Sequence, residues 1–454
     1  MSEVLRRDLV ALLGSEAILY NPEGLTAYGG DYSGLAPRPP VLVARPASCE
    51  EAERLVHWLY AQGVPMTPRG AGTGKAGGCI PGPDDVVIST ERLKGGPRVN
   101  PNDMTVTVGA GVVAAELDIA AARHGLFYPP DPNSLKQSSI GGNVATNAGG
   151  PRAVKYGLTG HYLLGLTMIG ARGERIRAGA GTIKSVAGSN FTGLMLGSEG
   201  CFGLISELTM RLIPRPAAVC TAIATFDDSA AAGEAVGHLM RRGLNPRTAE
   251  LLDELSCQVL RQQRPGLLPE TGGAALIFEA DGSDEQAMDE LAAMAEACSD
   301  AREVLVAQSE AQRERIWAPR RKLSETLRSI AAHKISEDIA VPRGRLSDCI
   351  AACRAAAAQT PFKLAAYGHA GDGNLHINLL FDTAEDRPAV EQLADAIFRI
   401  AIDMGGTITG EHGIGLAKRH ALRWEAGPAR MALESRLKKA MDPAGLFNPG
   451  KVLL

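Results

Sequence analysis

At 454 residues, 45% of them hydrophobic, the chain is too long for one ordinary core and apolar enough to bury two, so a two-domain globular protein is expected. Lys and Arg (47) nearly balance Asp and Glu (51), leaving a formal charge of -4, and the cations are scattered, which argues against the basic face a nucleic-acid partner demands. Eight cysteines without a CxxC pair point to reduced, mostly buried thiols and a cytoplasmic protein, and no run approaches the roughly 18 apolar residues of a membrane span, which leaves only peripheral docking on a membrane.

The chain opens on MSEVLRRDLVALLG, whose interspersed charges read as an amphipathic helix and not as a secretion signal. From about Pro39 to Pro216 it is rich in Gly and Pro. Short β-type runs (PPVLVARP, DDVVIST, TVTVGAG, LLGLTMIG, LISELTMRLIP) alternate there with loops and modest helices such as Cys49 to Gln62, predicting an α+β domain with long functional loops.

Three glycine-rich loops lie in this region. In the first, Pro68 to Gly78 (PRGAGTGKAGG), glycines at 70, 72 and 74 would let backbone N–H groups converge on an anion. It is not the dinucleotide fingerprint: the third glycine of GxGxxG would fall at Lys75, and CIPGPDDVVIST returns to a strand instead of opening a helix. The second, SSIGGNVATNAGG from Ser138 to Gly150, offers Asn143, Thr146 and Asn147 as neutral hydrogen-bonding groups suited to a heterocycle or pyrophosphate. The third, Gly197 to Glu207, runs from a tight turn into a strand and offers backbone contacts. One such loop could be an ordinary turn; three in one domain favour a bound cofactor.

After IPRP (Ile213 to Pro216) strand-like runs (CTAIATF, AALIFEA, REVLVAQ, KISEDIAV) are each followed by an Ala-, Glu- and Arg-rich helical stretch, which sets a domain boundary near residue 217. Two apolar runs, FKLAAYGHA and LHINLLF, then precede a helix from about Pro388 to Met404. Asp372-Gly373 is the dipeptide of a two-residue type I′ turn, which would set His369 directly opposite His376, with Cβ atoms about 4.5 to 5.5 Å apart. From there two imidazoles can reach one metal ion. TGEHGIG adds a carboxylate, Glu411, and leaves His412 as a base. The alternative is a hairpin and a turn that merely happen to hold histidines. His57, His124, His161, His238, His333 and His420 have no such company and read as structural or surface residues.

The ordered set PRGAGTGKAGG, YPPDPNS, SSIGGNVATNAGGPRAVKYG, GSEGCFGLISE, YGHAGDGNLHIN, GEHGIG and FNPGKV resembles the vanillyl-alcohol-oxidase-type (PCMH-type) flavoproteins. Within them it resembles the branch of D-lactate dehydrogenases, glycolate oxidase flavin subunits and D-2-hydroxyglutarate dehydrogenases. The resemblance implies an α+β fold: an FAD-binding domain of two subdomains (1–216), a substrate domain with an antiparallel sheet and flanking helices (217–409), and a last segment (410–454) returning to the flavin.

It further implies that Arg69, Gly70, Ala71, Gly72, Thr73 and Gly74 hold the pyrophosphate, and that Asp131, Ser134, Ser139, Gly142, Asn143, Thr146, Gly149, Glu199, Ile205 and Asn448 line non-covalent FAD. His369, His376 and Glu411 match metal ligands, with zinc the first choice. His412 matches the catalytic base, Arg320 the substrate-carboxylate arginine, and Ser324, Lys334 and Asn378 further substrate contacts. The implied reaction is oxidation of a D-2-hydroxy acid, with a cytochrome, a quinone or an electron-transfer flavoprotein as acceptor and a homodimer left open. A non-redox transferase of the same fold and a flavin subunit active only in a complex are the alternatives. Two departures bear on the transfer: Lys75 replaces an apolar residue, and Lys334 stands two residues out of register in KISEDIAVP.

Overall fold

A computed structural model describes residues 2–452, so the expected domain limits at 1 and 454 lie outside the described residues. The chain divides into two compact units, one of residues 1–149, 158–215 and 411–454, the other of 150–157 and 216–410. Among the described residues no helix is long and apolar enough to cross a membrane.

The first unit is built on two sheets. One has four strands in the order Ile18–Leu19, Leu42–Ala44, Val86–Ser89, Met66–Arg69, the last three parallel. Helix Cys49–Ala61 packs on it because Ala52, Leu55, Val56 and Leu59 recur at helical spacing and are fully buried. Its start is fixed by Ser48, whose hydroxyl accepts the Glu51 N–H at 3.2 Å. The second sheet is antiparallel, in the order Arg98–Asn100, Thr105–Gly109, Leu204–Arg211, Leu163–Ile169, Arg175–Gly179. The C-terminal segment is part of this unit: Phe447 is fully buried in the first sheet's core, and Met66 exchanges backbone hydrogen bonds with Leu446 and Asn448.

The second unit carries one seven-stranded antiparallel sheet, in the order Glu303–Val306, Ala218–Phe226, Ala274–Gly282, Thr248–Leu252, Lys363–His369, Asn374–Phe381, His333–Ala340. Its central strands are buried over almost their whole length, which is why they read as continuous apolar runs. The short segment 150–157 lies with this unit although it directly follows the second glycine loop. The reason is Asp281, whose carboxylate accepts Lys155 Nζ and the Tyr156 hydroxyl, each at 2.7 Å.

Strand alternation puts an unusual set of side chains on one face of this sheet. Thr248 stands opposite Glu279, Glu250 opposite His369, Tyr367 opposite His376, and His376 opposite Asp338. Buried sheets seldom carry so many polar groups, and those that do need partners for each. Helix Glu310–Leu327 supplies several of them. Arg313, Trp317 and Arg320, spaced four and three residues apart, share one helical face: Arg313 Nε and Trp317 Nε1 donate to Glu279 at 3.1 and 2.7 Å, and Arg320 Nε donates to Glu250 at 2.6 Å.

Candidate active site

The hairpin that carries the histidines is closed by four residues, Ala370 to Gly373, and not by Asp372-Gly373 alone. Tyr367, two positions from His369, stands opposite His376. A type I′ turn needs positive φ at both central residues, but only Gly373 has it (φ 85°). Asp372 instead uses Oδ1 to accept the Asn374 N–H at 3.2 Å. A shift of two residues preserves side-chain parity, so His369 and His376 stay on one face as diagonal neighbours, ring centroids 5.3 Å apart and nearly perpendicular.

His369 Nδ1 is hydrogen-bonded to Glu250 Oε1, and the other oxygen of that carboxylate accepts Arg320 Nε at 2.6 Å. Glu250 is 0% exposed. Burial pushes its carboxyl up, but the charges and hydrogen bonds of His369 and Arg320 more than offset that and hold it at about 2. A neutral imidazole donating from Nδ1 carries its lone pair on Nε2, the arrangement found when a carboxylate orients a metal-ligating histidine. The sequence reading passed over Glu250. Its signal was there, a lone carboxylate inside the apolar run TAELL.

Asp338, also missed as a site residue, is likewise 0% exposed. Its Oδ1 accepts Asn374 Nδ2 at 2.6 Å and lies 3.8 Å from His376 Nδ1; its Oδ2 accepts the Thr409 hydroxyl at 3.0 Å and the Gly410 N–H at 2.9 Å. It therefore fixes the backbone one residue before Glu411. Tyr367, a third omission, lies under the Arg320 guanidinium, 4.9 Å from ring centroid to Cζ, and beside the His376 ring. Of the expected substrate contacts, Ser324 sits one turn beyond Arg320 and accepts Lys334 Nζ at 2.7 Å, while Asn378 is fully buried and donates to the His376 carbonyl at 3.0 Å.

In the first unit the glycine loops abut each other. A Cβ on Gly70 would lie 2.4 Å from Ser139 Oγ, so only glycine allows the approach. Gly72 has φ +73°, and a Cβ there would meet the Arg69 guanidinium at 2.0 Å. That guanidinium donates to the carbonyls of Gly30 and Ala27 and to Cys79 Sγ, so Arg69 braces the loop while Ala71, Thr73 and Gly74 complete its partly open rim. Ser139 caps the helix Ile140–Thr146 by accepting the Gly142 N–H, and Thr146 Oγ1 returns to the Gly142 carbonyl at 3.1 Å. Asp131 and Ser134 lie partly exposed in the preceding turn, and Ile205 is buried in strand Leu204–Arg211.

Glu199 and Asn448 tie loops together. Glu199 Oε1 and Oε2 accept the N–H groups of Ile414 and Gly415 at 2.7 and 3.0 Å, and Asn448 Nδ2 donates to the carbonyls of Gly78 and Glu199. Burial raises the Glu199 carboxyl to about 7 in spite of those two N–H groups. Its folded-state value exceeds the unfolded one, so its contribution is complete below about pH 4.5 and is lost as pH rises through about 7. Unfolding free energies measured from pH 5 to 8 should fall more steeply for the wild type than for Glu199→Gln, by a difference on the order of 1–3 kcal/mol; parallel curves would contradict this.

Next to that brace, Gly149 approaches Glu411: a Cβ on the glycine would lie 3.4 Å from Glu411 Oε2. His412 is 8% exposed, with Nε2 3.9 Å from Glu411 Oε1. Asn143 Nδ2, Ser138 Oγ and Ser198 Oγ are buried without a hydrogen-bond partner. Unpaired buried donors of this kind are costly unless a ligand answers them, and neutral amide and hydroxyl groups beside glycine-lined backbone fit the edge of a flavin.

The FAD binding domain family matches residues 40–179, and the family of FAD linked oxidases, C-terminal domain, matches residues 215–452. The chain belongs to the FAD-linked oxidases. This FAD-linked oxidase is 33% identical to glycolate oxidase subunit GlcD of Bacillus subtilis over 452 residues, 99% of this chain and 96% of that one. It is 33% identical to D-lactate dehydrogenase of Anaerostipes hadrus over 430 residues, 91% of this chain and 90% of that one. The structure of p-cresol methylhydroxylase with substrate bound is similar in fold, with a TM-score of 0.80 at 16% identity, covering 99% of this chain and 96% of that one. The resemblance read from the motifs and the two-domain α+β class are therefore borne out.

Proposed function

We propose that this chain is an FAD-dependent dehydrogenase that oxidises a D-2-hydroxy acid of the lactate, glycolate or 2-hydroxyglutarate class to the 2-oxo acid, with a divalent metal assisting. The observation that carries the reading is the Arg320–Glu250–His369 chain on the polar face of the second unit's sheet, in a protein whose first unit matches an FAD binding domain. An arginine held at Nε by a buried carboxylate is oriented to bind a substrate carboxylate through its terminal nitrogens. His412 takes the proton of the 2-hydroxyl, a task suited to an imidazole near neutral pH. Ser324 and Lys334, which hydrogen-bond to each other, would meet the far end of a longer acid.

The glycine loops with Asn143 and Ser139 would hold FAD non-covalently, and the flavin would supply the acceptor for the hydride that leaves C2. His369 and His376, with Glu411 by its motif match, fit a divalent metal, zinc first, whose chemistry would be to acidify and orient the alcohol.

A relative named as a subunit favours a second reading, in which the chain is active only in a complex. Assay of the purified, FAD-loaded chain with an artificial electron acceptor separates the two. Turnover with one D-acid and not its L-enantiomer supports the dehydrogenase acting alone. Turnover only after addition of partner chains would replace it with the subunit reading.

A further inference from the structure

Glu250 stands between two residues that the proposed reaction uses for different purposes. One oxygen meets His369 Nδ1, the other meets Arg320 Nε, and the carboxylate is fully buried in the middle of strand Thr248–Leu252. A nearby contrast shows what a purely structural ion pair looks like here. Arg247 is sandwiched between Glu279 and Asp281, which in turn take Arg313, Trp317, Lys155 and Tyr156, a cluster of charges closed on itself. Glu250 instead bonds the inner nitrogen of the arginine and the Nδ1 side of the imidazole. An arginine grips carboxylates with its terminal nitrogens, and a histidine oriented at Nδ1 ligates a metal through Nε2, so the two bonds to Glu250 set the orientation of both ligand-gripping edges.

We propose that Glu250 is a positioning residue that couples the metal half of the site to the carboxylate-binding half, so that each ligand strengthens the other. This rests on His369 as a metal ligand and Arg320 as the carboxylate anchor. When His369 ligates through Nε2, its Nδ1–H becomes a stronger donor and draws charge toward Glu250 Oε1. The carboxylate is thereby fixed, and Oε2 holds Arg320 Nε in the orientation in which its terminal nitrogens meet the acid. In the other direction, an acid that fixes Arg320 fixes the carboxylate with it and holds the imidazole in its ligating orientation. No proton changes owner in either direction, and thermodynamic linkage requires the two effects to be equal.

The test uses the FAD-loaded protein with Glu250→Gln, Glu250→Asp and His369→Ala. Zinc affinity is measured by competition with a chromogenic chelator, alongside kcat and KM for the best D-acid. A glutamine can accept from one of the two partners but not both. Glu250→Gln should therefore weaken zinc binding by roughly 10- to 100-fold and raise KM together with it, with flavin content unchanged and Glu250→Asp recovering part of both. Where Glu250→Gln does not fold, Glu250→Asp serves, with smaller joint losses expected.

A carboxylate with only a structural role would lower the melting temperature and leave zinc affinity and KM of the folded fraction as in the wild type, and that result overturns the coupling. Loss of zinc affinity without any change in KM overturns it too. If His369→Ala binds zinc as tightly as the wild type, the metal reading itself fails, a different outcome that the same experiment separates.

Discussion

His412→Ala is expected to keep its flavin and to turn over the D-acid about 10²- to 10⁴-fold more slowly than the wild type, the usual contribution of a positioned general base. His412 is 92% removed from solvent and its Nε2 is 3.9 Å from Glu411 Oε1. It is joined to the flavin-binding unit through Ile414 and Gly415, whose N–H groups bind Glu199 and not the imidazole. Removing the ring leaves that brace intact, so flavin absorbance should be retained while kcat falls. An alanine variant with normal kcat would remove His412 from the mechanism.

Arg320→Met should show a different pattern. The substitution fills similar volume but deletes the charge, with two consequences. The acid loses its bidentate partner, and KM should rise by roughly 100-fold, equivalent to about 3 kcal/mol. Glu250 is left buried against His369 alone, and removing one partner of a buried ion pair costs on the order of 3–5 kcal/mol. Steady-state kinetics and thermal unfolding check the two effects separately. A variant with unchanged KM but lowered stability would make Arg320 a structural cation like Arg247, and the carboxylate anchor would have to be sought elsewhere.

Much of this architecture is legible in the sequence because it rests on local rules. The glycine loops are recognisable since positions such as 70 and 72 tolerate no Cβ, and the two histidines are assigned to one face because strand parity survives an error in the turn. The turn itself was misread. Asp-Gly serves equally in a four-residue loop where the aspartate side chain, not its backbone, makes the bend, and dipeptide identity does not separate the two.

What the sequence hid was long-range. Glu250 meets Arg320 and His369 across 70 and 119 positions, so the pairing has no local signature, and an apolar strand with one carboxylate reads as noise until the partners are in place. The docking of segment 150–157 on Asp281, some 125 positions away, is hidden for the same reason. The bracing of Arg69 is hidden in the same way, since its guanidinium reaches the carbonyls of Gly30 and Ala27, some 40 positions away, as well as Cys79 Sγ.

The most direct test of the central claim is to follow the bound flavin's absorbance without oxygen while D- and L-lactate, glycolate, D-malate and D-2-hydroxyglutarate are added in turn, before and after chelation. Rapid bleaching by one D-acid or by achiral glycolate, lost with the chelator and restored by zinc, is the predicted result. Bleaching that ignores stereochemistry or the metal, or no bleaching by any of these acids with FAD demonstrably bound, would contradict the account.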